Sequence, residues 1–267
     1  MSDAADPRLL WHGAITSFAD LSATLTEPQW QTASPCPGWS VGDLVAHTID
    51  IEEMLSGTAR TDHEPDWAAL PHVDRDLARR TEPGVDRRRA MDREAVVDEL
   101  SATILQRAPL VGALDLDGTM LSPFGREVPV RFMLRMRVFD IWVHEQDIRA
   151  VIGEPGNLAS PAARASLDLI LDSMPKAWAK SAAAPAGSTL RVAVTGAVAR
   201  TVLVRVDDSG AGVLVDDDPA ITPDVQVSAD WPTFLGAATG RAPATTVTAT
   251  GDTALIAAFL PHLNIAP

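Results

Sequence analysis

Residues 137–149 read RVFDIWVHEQDIR, and this stretch decides the fold of the first part of the chain. Apolar residues recur every three or four positions from about 130 to 152, which is the spacing of an amphipathic α-helix. Asp140, His144 and Asp147 are four and three residues apart, so their side chains share one face of that helix. Because apolar residues flank this polar stripe, we predict that it faces the interior of a helical domain.

A second predicted helix carries another histidine, and apolar residues precede and follow this histidine at helical spacing. This helix opens at Ser40, ends near Gly57, and contains Val, Leu and Ile at helical spacing. Ser40 and Asp43 form a capping-box pattern, in which the hydroxyl and the carboxylate satisfy free N–H groups at the helix start. His47 follows Asp43 by one helical turn, so the two side chains lie on the same face.

Apolar periodicity predicts three more helices in the first part of the chain. Their approximate bounds are 9–25, 92–110 and 160–179. Residues 58–90 are polar, rich in Arg and Asp, and interrupted by three prolines, so we expect a long excursion that contains one short helix. The first part of the chain is therefore predicted to be a helical bundle.

The pattern of the sequence changes after residue 180. Residues 181–188 read SAAAPAGS, a composition that is typical of a linker. Beyond them, β-branched residues alternate with period two, which predicts short strands and two helices. The predicted strands are 190–194, 201–206, 213–215, 225–227 and 245–248, and the predicted helices are 231–239 and 253–259. The predicted fold class is α+β overall, with a helical domain over residues 1–182 and a small α+β domain over residues 189–267.

Composition excludes several classes of partner. The 267 residues carry a net charge of −14, from 22 basic and 36 acidic residues, which disfavours nucleic acids and anionic membranes. The single cysteine, Cys36, excludes a disulfide framework and a cysteine-rich zinc module. No apolar run reaches the roughly 18 residues of a membrane span, and the N-terminus lacks the pattern of a signal peptide. We therefore expect a cytoplasmic protein.

Two histidines and one carboxylate on two facing helices are a common way to hold a divalent metal in a bundle. Zinc accepts nitrogen and oxygen ligands, and three protein ligands leave a fourth position for water or substrate. Nearby carboxylates could orient the imidazoles: Asp43 or Asp50 for His47, and Asp147 for His144. The alternative is a solvated polar pair without metal, since the spacing alone does not show that the two helices meet.

Two stretches of the sequence resemble one known family. Residues 35–47 read PCPGWSVGDLVAH and residues 137–147 read RVFDIWVHEQD. Together they resemble the mycothiol-dependent maleylpyruvate isomerase family, a branch of the DinB-like four-helix bundles. Residues 235–241 and the turn at 251–252 look like the second domain of that family, so the resemblance spans nearly the whole chain. It implies an N-terminal metal-binding bundle and a C-terminal α+β domain related to sterol carrier proteins.

The resemblance also implies particular site residues. The family's metal ligands are a histidine on the second helix and a Glu-x-x-x-His pair on a later one, which correspond here to His47, Asp140 and His144. Asp140 departs from the family pattern, because its side chain is one methylene shorter than that of glutamate. Arg241 in the second domain corresponds to a catalytic residue that contacts the substrate.

The chemistry that the resemblance implies uses a divalent metal, zinc, and mycothiol as thiol cofactor or co-substrate. The metal would hold the thiol as a thiolate at neutral pH. In an isomerase, the thiolate adds to a cis double bond of a small electrophilic substrate, rotation follows, and elimination gives the trans product. An S-transferase would keep the conjugate instead. Both reactions share the first step, so the identity of the metal ligands does not distinguish an isomerase from an S-transferase.

Other readings of the same residues remain open. Cys36 is either a nucleophile or extra metal ligand, or a small packed residue between two prolines. Arg131, Arg135, Arg137 and Arg149 either bind substrate carboxylates or form salt bridges along the helix. Besides the enzyme, two functions remain: a non-catalytic small-molecule or lipid-binding protein with a vestigial metal site, and a zinc-sensing regulator.

Overall fold

The computed structural model describes residues 5–58 and 62–265. The chain divides into two compact units, Met1–Gly156 and Asn157–Pro267. In the described residues, no helix has both the length and the apolar character that crossing a membrane requires. The predicted order, a helical part followed by a part that contains a sheet, is confirmed.

The first unit is built on four long helices. Helices α1, α3, α5 and α6 pack against one another, with α1 along α6 and α3 along α5. Two shorter helices, α2 and α4, and a small antiparallel hairpin of β1 and β2 complete the unit. The elements are α1 (Pro7–Thr24), α2 (Glu27–Trp30), α3 (Val41–Leu55), α4 (Asp76–Asp86), α5 (Arg93–Gly112), β1 (Thr119–Leu121), β2 (Glu127–Pro129) and α6 (Val130–Ile152).

Local sequence sets the ends of α3 and α6, the two helices that carry the candidate metal ligands. At the start of α3, the Ser40 hydroxyl accepts a hydrogen bond from Asp43 N at 3.2 Å, and Asp43 Oδ2 accepts one from Ser40 N at 2.9 Å. This is the predicted capping box, and it fixes where the helix begins. Helix α6 ends at Gly153, whose φ of 72° suits glycine in a left-handed C-cap. The bounds predicted for α3 and α6 are confirmed.

The excursion between α3 and α5 is more ordered than its prolines predict. Helix α4 continues through Pro83, and one-turn helices precede and follow it at Trp67–Ala69 and Arg87–Ala90. Gly84 lies so close to α3 that a β-carbon there would meet Asp50. Packing of α4 against α3 therefore outweighs the hydrogen bond that Pro83 removes. The hairpin of β1 and β2 was not predicted at all.

A buried carboxylate joins the four long helices. Glu52 on α3 is fully buried, and its Oε2 accepts a hydrogen bond from Arg107 Nε on α5 at 3.1 Å. Its Oε1 accepts from Arg137 Nε on α6 at 2.9 Å and from Trp11 Nε1 on α1 at 3.1 Å. Both arginines are about as buried as the carboxylate, so the core of the bundle contains a charged cluster rather than apolar side chains alone.

Over its described residues, 157–265, the second unit has a five-stranded sheet, three α-helices and three short helical turns. The sheet has the order β5-β4-β3-β6-β7, in which only β3 and β6 pair in parallel. Helix α7 packs on β4 and β5, and α8 packs on β3 and β6. The elements are α7 (Pro161–Lys176), β3 (Thr189–Thr195), β4 (Arg200–Val206), β5 (Gly212–Val215), β6 (Val225–Asp230), α8 (Trp231–Ala238), β7 (Thr248–Gly251) and α9 (Thr253–Phe259).

Two details of this unit differ from the sequence predictions. The division between compact units falls after Gly156 and so includes α7 in the second unit, whereas the domains were predicted to divide at residues 182–189. The reason is that α7 covers one face of the sheet. The strand predicted at 245–248 is shifted, because residues 244–246 form a helical turn before β7 begins at Thr248.

We predict that replacing Glu52 by Gln destabilises the first unit by about 3–5 kcal/mol, since the buried guanidinium of Arg107 then lacks a counter-charge and that of Arg137 keeps only Asp140. The measurement is urea unfolding followed by helical circular dichroism. The same substitution at the exposed Glu94 is the control, and we expect it to change stability by no more than about 0.5 kcal/mol. A loss below about 1 kcal/mol for Glu52→Gln would contradict the structural role of this carboxylate.

Candidate metal centre

The structure brings His47, Asp140 and His144 together inside the first unit. His47 Nε2, on α3, lies 3.5 Å from Asp140 Oδ2, and His144 Nε2 lies 3.6 Å from Asp140 Oδ1. The ligand atoms of all three residues lie within 4.8 Å of one another. Both imidazoles are buried, and their rings meet edge to face with centroids 5.2 Å apart. The two helices therefore meet at the residues that the sequence singled out.

The spacing of these atoms fits a divalent metal. Two atoms bound to one tetrahedral zinc at about 2.0–2.1 Å lie roughly 3.3–3.4 Å apart. The two nitrogen–oxygen separations, 3.5 and 3.6 Å, are close to that value and too long for strong hydrogen bonds. Two imidazoles and one carboxylate also form a donor set that zinc accepts. The residues present therefore fit a metal that keeps a further coordination position for another ligand.

One of the two histidines is oriented by a carboxylate. His144 Nδ1 lies 3.1 Å from Asp147 Oδ2, in the position expected from the sequence. For His47 the expectation fails, because Nδ1 is buried and no described residue forms a hydrogen bond with it. Asp43 instead caps α3 and accepts a hydrogen bond from Arg89 Nε at 3.1 Å.

Asp140 is held in place by the charged core. Arg137 Nη1 donates to Asp140 Oδ2 at 2.5 Å, while Arg137 Nε donates to Glu52. Arg137 is buried, so its guanidinium is a fixed bridge between the core carboxylate and the metal-site carboxylate. Asp140 itself is about one-third exposed, which leaves part of the carboxylate accessible.

The three residues differ in their charge state. Burial lowers the pKa of His47, and Asp140 opposes this only in part. Burial also disfavours the charged form of His144, but Asp140 and Asp147 outweigh it and raise the pKa of His144 to about 10. Burial acts to raise the pKa of Asp140, yet His144 and Arg137 hold it well below its ordinary value. At neutral pH the cluster thus combines a neutral imidazole, an imidazolium and a carboxylate, and a bound metal would take the place of the imidazolium proton.

A cavity of about 500 Å³ in the same unit is lined by Trp39 but by none of the three cluster residues. The Trp39 ring lies 5.0 Å from the His47 ring, and its Nε1 donates to the buried Glu82 at 3.0 Å. The cavity has a mixed polar and apolar lining, which suits a small polar molecule. Its lining includes Trp30, Gln31, Ser34, Ser40, Asp43, Arg89, Met91 and Val96.

The remaining candidate residues have other surroundings. Arg149 pairs with Glu145 one turn earlier on α6, as expected for a salt bridge along a helix, whereas Arg131 pairs with Asp117 in the turn before β1. Arg241 lies in the second unit, where its half-buried guanidinium donates to the carbonyl of Thr239 at 2.7 Å.

Sequence reasoning missed the charged residues that support the cluster. Glu52 and Glu82 are completely buried, and each accepts hydrogen bonds from arginine and tryptophan side chains. No local pattern marks Glu52, because its partners lie on other helices, and the Trp39 partner of Glu82 is 43 residues away. The only sequence feature that could have suggested them is the presence of charged residues on otherwise apolar helix faces.

Two family models match the chain. One, described as the mycothiol maleylpyruvate isomerase N-terminal domain, matches residues 11–149, and the other, described as the MDMPI C-terminal domain, matches residues 164–258. Together the matches cover most of the chain. The metal-site candidates lie within the first, and Arg241 lies within the second.

Individual relatives are distant. Two uncharacterized proteins from strains of Mycobacterium tuberculosis are each 24% identical over 153 residues, which is 57% of this chain and 71% of the relative. Two crystal structures of the mycothiol-dependent maleylpyruvate isomerase, one of a mutant, share 16% identity with TM-scores of 0.58 and 0.57. Each covers 92% of this chain and 93% of the solved chain, so the whole fold is shared. With both family models matched, the chain belongs to the mycothiol-dependent maleylpyruvate isomerase family.

Proposed function

We propose that the protein is a metal- and mycothiol-dependent isomerase or S-transferase that acts on a small electrophilic substrate. The observation that carries this proposal is the convergence of His47, Asp140 and His144 inside the bundle of a family member. Zinc is the proposed metal, because two imidazoles and a carboxylate at these separations suit it. The protein's location is proposed to be the cytoplasm.

The residues of the chain have separate tasks in this proposal. His47, Asp140 and His144 would hold the metal, and a bound divalent metal stabilises a thiolate at neutral pH. Asp147 accepts the hydrogen bond from His144 Nδ1 and so leaves Nε2 directed at the cluster. Arg137 fixes the carboxylate of Asp140, which limits the movement that its short side chain would otherwise allow.

Substrate recognition is assigned to two further features. The cavity beside Trp39 has the size and the mixed polarity of a small-molecule site, so it could seat part of the thiol or of the substrate. Arg241 is proposed as the catalytic residue that binds an anionic group of the substrate, because a guanidinium pairs well with a carboxylate.

The proposal predicts about one zinc ion per chain in the purified protein, measured by elemental mass spectrometry. The substitution His144→Ala should lower the zinc content at least about tenfold, because it removes a ligand and the partner of Asp147. His262→Ala is the matched control, since this exposed histidine lies in the second unit and should leave the zinc content unchanged. A wild-type protein that lacks metal and takes up no added zinc would contradict the metal site.

The proposal also predicts the effect of removing Arg241. With mycothiol and maleylpyruvate as probes, Arg241→Ala should lower kcat/KM by about 10- to 100-fold, while the zinc content stays unchanged, because only a charge-assisted contact to the substrate is lost. Arg164→Ala, at an exposed arginine of the same unit, is the control and should retain activity. Unchanged activity of Arg241→Ala would remove this residue from the site.

One outcome would favour the binding-protein alternative. If no thiol-dependent isomerisation or conjugation is detected, and binding of apolar small molecules persists after chelation, the metal cluster has no role in function. Activity that is lost on chelation and restored by zinc, and that requires the thiol, supports the enzyme instead.

A further inference from the structure

A second group of metal-binding side chains shares His144 with the first. Cys36, His144 and Asp147 place one sulfur, one nitrogen and one oxygen within 4.8 Å of one another. Cys36 Sγ lies 3.8 Å from Asp147 Oδ2, and the same oxygen lies 3.1 Å from His144 Nδ1. His144 and Asp147 are buried, whereas Cys36 is half-buried and therefore partly open to solvent.

These separations resemble those of a metal site that contains sulfur. With Zn–S near 2.3 Å and Zn–O near 2.1 Å, sulfur and oxygen ligands of one tetrahedral ion lie roughly 3.6 Å apart. Soft thiolate ligands select ions such as Zn²⁺ and Cd²⁺ over Mg²⁺ and Mn²⁺. The two ring nitrogens of His144 thus face two different donor sets: Nε2 faces His47 and Asp140, and Nδ1 faces Asp147 and Cys36.

We propose that Cys36, Asp147 and His144 Nδ1 form a second position for a thiophilic divalent cation, and that it competes with the first position for His144. A neutral imidazole has one nitrogen with a free lone pair, while the other carries the proton. If Nε2 binds the metal, Nδ1 carries the proton and donates a hydrogen bond to Asp147. If Nδ1 binds the metal, Nε2 carries hydrogen toward Asp140. One chain with a neutral His144 therefore holds one ion at either position, but not at both.

This inference rests on the proposed function only because both metal positions use His144. Variants of the full chain can test the two positions separately. His47→Ala removes a ligand of the first position alone, and Cys36→Ser removes a ligand of the second alone. The probes are Co²⁺ and Cd²⁺, added to chelator-treated protein. Sulfur coordination is read from the ultraviolet absorption that arises from charge transfer between sulfur and the metal.

We expect His47→Ala to bind one equivalent of Cd²⁺ with a sulfur charge-transfer band. Adding Cys36→Ser to this variant should abolish the band and weaken Cd²⁺ binding by at least about 100-fold. Cys36→Ser alone should still bind one equivalent of Co²⁺, without the sulfur band, through the first position. If His47→Ala does not fold, which circular dichroism will show, His47→Gln replaces it with a side chain of similar size.

Two results would overturn the second position. Either the His47→Ala variant binds no Cd²⁺, or it binds Cd²⁺ without a sulfur charge-transfer band. Two equivalents bound at once by the wild-type protein would overturn the competition through His144. Failure of the first metal position, on which the proposed function depends, has a different signature, because Cys36→Ser would then bind no Co²⁺. The experiment therefore tells failure of one position from failure of the other.

Discussion

The carboxylate of Glu52 is the interaction on which the arrangement of the first unit depends. It is fully buried, and it accepts hydrogen bonds from Trp11, Arg107 and Arg137, so one side chain of α3 contacts α1, α5 and α6. Burying charges is costly, and this cluster is tolerated only because opposite charges and hydrogen bonds are matched within it. Helix packing in this bundle is thus fixed by electrostatic pairing as well as by the apolar core.

The same charges extend to the candidate metal centre. Arg137 pairs with Glu52 through Nε and with Asp140 through Nη1, so the position of a metal-ligand candidate is set by the core of the bundle. Asp140 has a shorter reach than the glutamate expected for the family, and its guanidinium partner restricts where its oxygens lie. Buried charges of this kind cost stability unless each is paired, and here Arg137 pairs with both carboxylates.

Several arginines of this acidic chain act as internal counter-charges. Arg88 is buried and donates to Glu53 and Glu99, and Arg89 joins Asp43 to Glu82. These pairs tie α4 and the turn after it to the neighbouring helices, which is why the excursion remains helical despite Pro83. The net charge of the chain did not reveal this internal pairing.

Local sequence was enough to predict most of the helices and strands and the candidate ligands, because each is set by neighbours a few residues away. Ser40 and Asp43 fixed the start of α3, and the four-residue spacing of Asp140 and His144 fixed their common face. The resemblance of residues 35–47 and 137–147 to one family added the inference that His47 binds the same metal as Asp140 and His144. Other contacts are visible only in the tertiary structure. Glu52 binds two arginines, and α7 groups with the sheet in one compact unit. Cys36 lies beside Asp147, which is 111 residues away in the sequence. These contacts join distant parts of the chain, and no local spacing or periodicity encodes them.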